Sequence, residues 1–156
     1  MGYRPSQEMR RYNHLVGEID GVYHEMSRKL GLSDSAMLVL YTIYAYRGGC
    51  PLREICRSSG LSKQTVNSAL RGLEAEGAIY LEPASAKRKN VCLTEAGEAL
   101  AAETAGQIIR IENEIFDAWP REDVARYLDL TERYLLALRA RAGTLEKRGA
   151  SGREGP

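Results

Sequence analysis

Hydrophobic and polar positions follow a helical period over most of the chain. Apolar residues recur every three or four positions from Gln7 to Leu30, the pattern of an amphipathic helix. A second helix, capped by Ser33 or Asp34 and running to about Arg47, is apolar on nearly all sides and is therefore predicted to be central. A short third helix starts at Pro51, and a fourth, capped by Ser62, runs to Glu76.

Two short alternating runs follow the fourth helix. Ile79–Leu81 and Val91–Leu93 predict an antiparallel hairpin whose connection spans residues 82–90. Thr94 can then cap one long helix, and its apolar stripe extends to Trp119. Pro120 ends that helix, and a last amphipathic helix carries apolar residues on one face. The pattern predicts a mainly α fold with a small β-hairpin.

The order helix, glycine turn, helix and hairpin over residues 51–93 is that of a winged helix-turn-helix, in which the hairpin is the wing. We therefore predict a winged helix-turn-helix DNA-binding domain over residues 31–94. Residues 1–30 and 95–145 would form a helical dimerisation region, because their long apolar stripes need a surface to bury them. The polar, Gly-rich tail 146–156 is predicted to be disordered.

The fourth helix has the two faces that a DNA-reading helix requires. At about 100° per residue, Val66, Leu70 and Leu73 fall on one side, whereas the opposite side carries hydrogen-bonding side chains. Arg pairs with guanine, and Gln or Asn pairs with adenine, in the major groove, while hydroxyls and amides at a helix N-terminus favour phosphate. The candidate DNA-binding residues of this helix are Ser62, Lys63, Gln64, Thr65, Asn67, Ser68 and Arg71.

The hairpin connection supplies a second candidate contact. Lys87, Arg88 and Lys89 follow one another among small residues, and such a loop can reach phosphates or place an arginine in a minor groove. A solubilising basic turn would have the same composition. Its position beside the candidate reading helix favours the DNA-binding interpretation.

The distribution of charge supports this assignment better than the total does. The chain of 156 residues is 44% hydrophobic and 28% charged, and its formal net charge is only +1. Residues 1–46 are neutral, residues 47–94 carry eight basic and four acidic side chains, and residues 95–156 carry a net charge of −3. The basic excess therefore coincides with the predicted DNA-binding domain.

Several other classes receive no support from the sequence. The longest apolar stretch, Ala36–Tyr46, is too short to span a bilayer, the N-terminus lacks a secretory signal, and three cysteines indicate reduced thiols in the cytoplasm. No phosphate loop, serine nucleophile elbow or HExxH motif indicates an enzyme. His14 and His24 lie ten positions apart without a cluster of metal ligands, so no metal or cofactor is expected.

The segment PLREICRSSGLSKQTVNSALRGLEAEGAIYLEP, with the later LTEAG, resembles the MarR family of bacterial transcription factors. The matching features are the turn Gly60–Ser62, the spacing of Val66, Leu70, Leu73 and Gly77, and the wing ending Leu93-Thr94-x-x-Gly97. With the flanking helices, the resemblance covers residues 7–145. One departure concerns the wing, where family members usually carry an Asp two residues before a groove-binding Arg. This chain has no Asp there, and Arg88 is its candidate groove residue.

The resemblance implies a homodimer that reads a near-palindromic double-stranded DNA operator, most often as a repressor. It also implies release by a small aromatic or phenolic effector, whose candidate lining residues are His14, Tyr41, Tyr44 and Tyr46. Each of these tyrosines could instead serve only in packing.

Two alternatives remain open from the sequence. The winged helix could serve only protein contacts, although such a helix should expose apolar or aromatic anchors. A thiol-based redox regulator is a second alternative, with Cys50 as the sensor because it lies beside a glycine pair and could be exposed. Cys56 and Cys92 alternate with apolar residues and are expected to be buried and inert.

Overall fold

The computed structural model describes residues 2–47, 49–85 and 87–148. Its elements in these ranges are α1 (Gln7–Lys29), α2 (Asp34–Ala45), β1 (Cys50–Pro51), α3 (Leu52–Ser59), α4 (Lys63–Ala75), β2 (Ile79–Ser85), β3 (Arg88–Leu93), α5 (Glu95–Glu103), α6 (Ala105–Asp117) and α7 (Arg121–Ala142). The prediction of a mainly α fold with a small β wing is confirmed. The chain divides into two compact units, one ending at Ile111 and the other beginning at Glu112.

Side-chain caps start the helices where the sequence placed them. The hydroxyl of Ser33 accepts a 3.2 Å hydrogen bond from the amide of Ala36 at the start of α2. Ser62 accepts a bond of the same length from Thr65 at the start of α4. Such bonds satisfy amide donors that have no partner within the helix. They determine where these helices begin along the chain.

The main core lies around α2, as its apolar sequence predicts. Val39 and Ile43 of α2 pack with Ile55 of α3 and with Val66 of α4, and all four are at most 1% exposed. Val91 of β3 closes the same cluster. Burial of these side chains holds the two helices of the helix-turn-helix and the wing in one body, because each contributes to the same apolar contact surface.

The wing is larger than the predicted hairpin. β2 and β3 pair antiparallel from Ile79 opposite Leu93 out to Ser85 opposite Arg88, and β1 pairs with the outer side of β3. The expected connection 82–90 was therefore too long, since cross-strand pairing continues through polar residues that show no apolar alternation. Arg88 and Lys89 are strand residues rather than loop residues. The two-residue strand β1 was not predicted.

The single long helix predicted from Thr94 to Pro120 is wrong. The helical segment breaks at Thr104, whose φ of −119° and ψ of −87° leave the helical region and separate α5 from α6. The side chain of this buried residue donates a 2.6 Å hydrogen bond to the carbonyl of Leu100. A threonine that bonds the carbonyl four residues earlier often bends a helix, and the apolar period carries no trace of such a bend.

Of the tail predicted to be disordered, residues 149–156 lie outside the described residues, and Glu146–Arg148 belong to no helix or strand. Within the described ranges, no helix combines the length and the apolar character needed to cross a membrane.

Candidate nucleic-acid interface

Helix α4 presents the two faces that the sequence predicted. Val66, Leu70 and Leu73 are buried in the core. Gln64, Ser68 and Arg71 are exposed on the other side, and Asn67 is half-buried between the faces. The first acidic residue of the helix is Glu74, so its first three turns present hydrogen-bonding and basic groups to solvent.

The N-terminus of α4 is ordered by its own hydroxyl groups. The oxygens of Ser62 and Thr65 lie 2.8 Å apart, and Ser62 also accepts the amide of Thr65. These two predicted contact residues are thus already engaged with each other. Lys63 is exposed beside them, and a cation next to free helix amides favours an anion such as phosphate.

A groove with a volume of about 660 Å³ lies between α3, the start of α4 and the wing. It brings the three basic wing residues, Lys87, Arg88 and Lys89, together with Lys63. Arg53 of α3 lines the same groove, and sequence reasoning missed this residue because nothing in the period of a short helix relates it to the wing. The remaining described lining residues carry no acidic group: Pro51, Leu52, Cys56, Ala84 and Asn90.

The end of α4 is tied to the end of the wing. The hydroxyl of Thr94 donates a 2.6 Å hydrogen bond to the carbonyl of Gly77, which follows α4 with a positive φ of 75°. The amide of Thr94 donates a 3.0 Å bond to the carbonyl of Ala78. These bonds fix the wing relative to the candidate reading helix.

Three of the four candidate effector residues share one cavity. Tyr41, Tyr44 and Tyr46 line a cavity of about 520 Å³ with Ala45, Arg47, Glu98 and Ile109. His14 does not line it; its Nε2 lies 3.2 Å from a carboxylate oxygen of Glu18 on the exposed surface of α1. Arg47 and Glu98 were not predicted, because the fold rather than the sequence order places both beside the tyrosines.

The expected exposure of Cys50 is wrong. Its side chain is 0% exposed within β1, and burial, together with the nearby charge of Glu54, raises the thiol pKa to about 11. Cys92 is buried as expected, and burial raises its pKa. The expected burial of Cys56 is wrong, because this residue is half-buried and lines the basic groove. The thiolate is the reactive form of cysteine, so the structure removes the reason for choosing Cys50 as a redox sensor.

Glu54 is the acidic residue of α3, and its carboxylate accepts hydrogen bonds from neighbouring side chains. Ser58 donates a 2.7 Å hydrogen bond to it, and Tyr46 donates another. These bonds lower the pKa of the carboxyl, with help from nearby arginines. No group of three His, Cys, Asp or Glu side chains in the described parts of the chain is placed to hold a metal ion.

Comparison with known proteins supports the predicted resemblance. The model of the MarR family matches residues 30–89, whereas no curated protein matches the chain. A MarR-family regulator from Neisseria meningitidis has a similar structure, with a TM-score of 0.76 and 20% identity over 90% of this chain and 100% of that one. MepR from S. aureus in a DNA-binding conformation gives 0.70 and 20%, over 81% and 98%.

NadR, solved in complex with 4-hydroxyphenylacetate, has the same fold, with a TM-score of 0.66 and 14% identity over 86% of this chain and 96% of that one. The matched segment contains both helices of the helix-turn-helix and most of the wing. Residues 30–89 thus match the model of the MarR family, and the described chain has the winged helix-turn-helix fold of solved MarR-family regulators.

Proposed function

We propose that this protein is a DNA-binding transcriptional regulator that reads a near-palindromic operator as a homodimer and represses transcription. The observation that carries the proposal is the shared placement of two features. The outer face of α4, which carries no acid over its first three turns, lies next to a basic groove that joins its N-terminus to the wing. A helix of this kind fits the major groove, while the wing reaches the adjacent backbone or minor groove.

Within this proposal the ten predicted residues have separate roles. Gln64, Asn67, Ser68 and Arg71 contact base edges. Phosphates and the minor groove are contacted by Ser62, Lys63, Thr65, Lys87, Arg88 and Lys89. The proposed function includes no catalytic step. A protein that binds operator DNA would act in the bacterial cytoplasm.

Exposed apolar surface supports the homodimer. None of the described residues of α7 is buried, although Leu128, Leu135 and Leu138 are 42–52% exposed along one face. Helix α1 likewise exposes Ile19 and Val22, at 49% and 55%. Contiguous apolar faces of this kind mark interaction surfaces. A dimer with a two-fold axis would bury the same faces on both protomers.

The tyrosine-lined cavity supports release by a small aromatic effector. Tyr41, Tyr44 and Tyr46 line the cavity with apolar rings, and a tyrosine hydroxyl such as that of Tyr44 can bond a phenol or a carboxylate. We propose a phenolic acid as the ligand class. Isothermal titration with 4-hydroxyphenylacetate should show binding that Tyr44→Ala weakens and His14→Ala leaves unchanged; equal binding by both variants would contradict this location.

A DNA-binding experiment decides between this function and a protein-interaction module. Fluorescence anisotropy with fragments of the gene's own upstream region should show a salt-sensitive complex, and footprinting should show two protected half-sites. A monomeric complex or the absence of any salt-sensitive binding would contradict the proposal. The exposed polar face of α4 favours DNA, because protein-binding helices present apolar or aromatic anchors.

A further inference from the structure

We infer that the groove between α3 and the wing holds the phosphodiester backbone of one DNA strand, and that Arg53 of α3 is a phosphate-binding residue. This inference rests on the proposed function and extends it to an element outside the predicted contact residues. It assigns α3 a direct role in DNA binding in addition to its support of α4.

The first support is the composition of the groove. Five of its ten lining residues are cations, and they come from three elements: α3 gives Arg53, the start of α4 gives Lys63, and the wing gives the rest. None of the described lining residues is acidic. Cations that line one groove repel each other, and a bound anion relieves this repulsion, so the composition favours a polyanion.

The second support is the uncharged part of the lining. Pro51, Leu52, Cys56 and Ala84 supply uncharged surface, and Asn90 is the neutral amide among the described lining residues. The groove thus offers several charges but few neutral hydrogen-bonding groups for bases. Such a site suits the repeating charges of a backbone and carries no sequence information by itself.

The third support is the way α3 separates its charges. The carboxylate of Glu54 accepts hydrogen bonds from Ser58 and Tyr46. Arg57, on the same helix, is exposed but does not line the groove. Arg53 and Arg57 therefore form a matched pair, with the same side chain on one helix and only one of them at the groove.

The principal experiment compares Arg53→Gln with Arg57→Gln, using anisotropy with a random-sequence duplex at several salt concentrations. Arg53→Gln should weaken binding about tenfold at low salt. It should also lower the slope of log K against log salt by about 0.9, the value for one lost phosphate contact. Arg57→Gln should leave the slope unchanged. Equal slopes for the two variants and the unsubstituted protein would overturn the inference.

A second measurement needs no substitution. Cys56 is a half-buried thiol that lines the groove, whereas Cys50 and Cys92 are buried with raised pKa values. Random-sequence duplex DNA should therefore slow alkylation of Cys56 by N-ethylmaleimide, as followed by peptide mass spectrometry. Unchanged alkylation at DNA concentrations that saturate the anisotropy signal would place DNA elsewhere and overturn the inference.

The outcomes separate the inference from the proposed function. If the unsubstituted protein binds DNA but neither Arg53 nor Cys56 responds, the groove assignment fails and the regulator function stands. If the unsubstituted protein shows no salt-sensitive binding, both fail. A slope change confined to Arg53→Gln, together with protection of Cys56, supports both.

Discussion

Gly97 lies against the backbone carbonyl of Ala78 so closely that a Cβ at position 97 would overlap the carbonyl oxygen. The amide of Gly97 also donates a 3.0 Å hydrogen bond to the hydroxyl of Thr94, the residue that caps α5. This contact gives a physical meaning to the ending Leu93-Thr94-x-x-Gly97. The motif joins the first turn of α5 to the segment that follows α4, and only glycine permits the approach.

Gly97→Ala should destabilise the protein by about 1–3 kcal/mol, because the contact that must yield is backbone rather than a flexible side chain. Urea unfolding followed by circular dichroism measures this loss. Gly72→Ala is the control: a Cβ there meets nothing within 4 Å, and replacing glycine inside a helix should stabilise by roughly 0.5–1 kcal/mol. Equal stability of the two variants would contradict the packing role of Gly97.

Arg71→Ala should cost about 1–3 kcal/mol of operator binding and relax the base preference at one position of each half-site. The reason is that Arg71 lies on the exposed face of α4, where it can bond a base edge. Selection of bound sequences from a random pool measures the preference. The comparison variant is Arg88→Ala, which should weaken all sequences alike; an unchanged preference in Arg71→Ala would exclude base reading by this residue.

Leu135→Glu should weaken the dimer by about tenfold or more, because a charge would replace an apolar side chain that is 42% exposed in the single chain. Light scattering over a concentration series measures the dissociation. At about 100° per residue, Asp129 lies on the side of α7 away from Leu128, Leu135 and Leu138, so Asp129→Lys should leave the dimer intact. Dissociation of Asp129→Lys but not of Leu135→Glu would place the interface on the face that carries Asp129.

The pKa of Cys50 predicts both slow alkylation and alkaline sensitivity. The pKa of the buried thiol is raised to about 11, so between about pH 9 and 11 the folded state keeps a proton that the unfolded state has lost. The stabilising contribution is therefore complete below about pH 9 and is lost as the pH rises toward 11. Urea unfolding at several alkaline pH values should show this loss.

The matched variant for this prediction is Cys50→Ala, which should be less stable at neutral pH but should lose less stability between pH 9 and 11. Peroxide at neutral pH should not oxidise Cys50 and should therefore not change the DNA affinity of the unsubstituted protein by that route. A loss of affinity after oxidation that Cys50→Ala abolishes would instead revive the redox alternative.

The sequence by itself determined the elements that depend on local chemistry. Ser62 and Thr94 act as helix caps as predicted, and of the two candidates Ser33 and Asp34 it is Ser33 that caps α2. The period of α4 separates its core face from its polar face. These features follow from contacts within about four residues, which the order of side chains records directly. The helix-turn-helix and the local charge excess are of the same kind.

Only the tertiary structure decided the features that depend on residues distant in the chain. It buried Cys50 under a strand pairing with Val91, and it placed Arg53 across a groove from the wing. It also ended α5 at Thr104. The packing of distant elements decides which side chains are buried, which residues share a groove and where a helix bends. The period of apolar residues along the chain does not record those contacts.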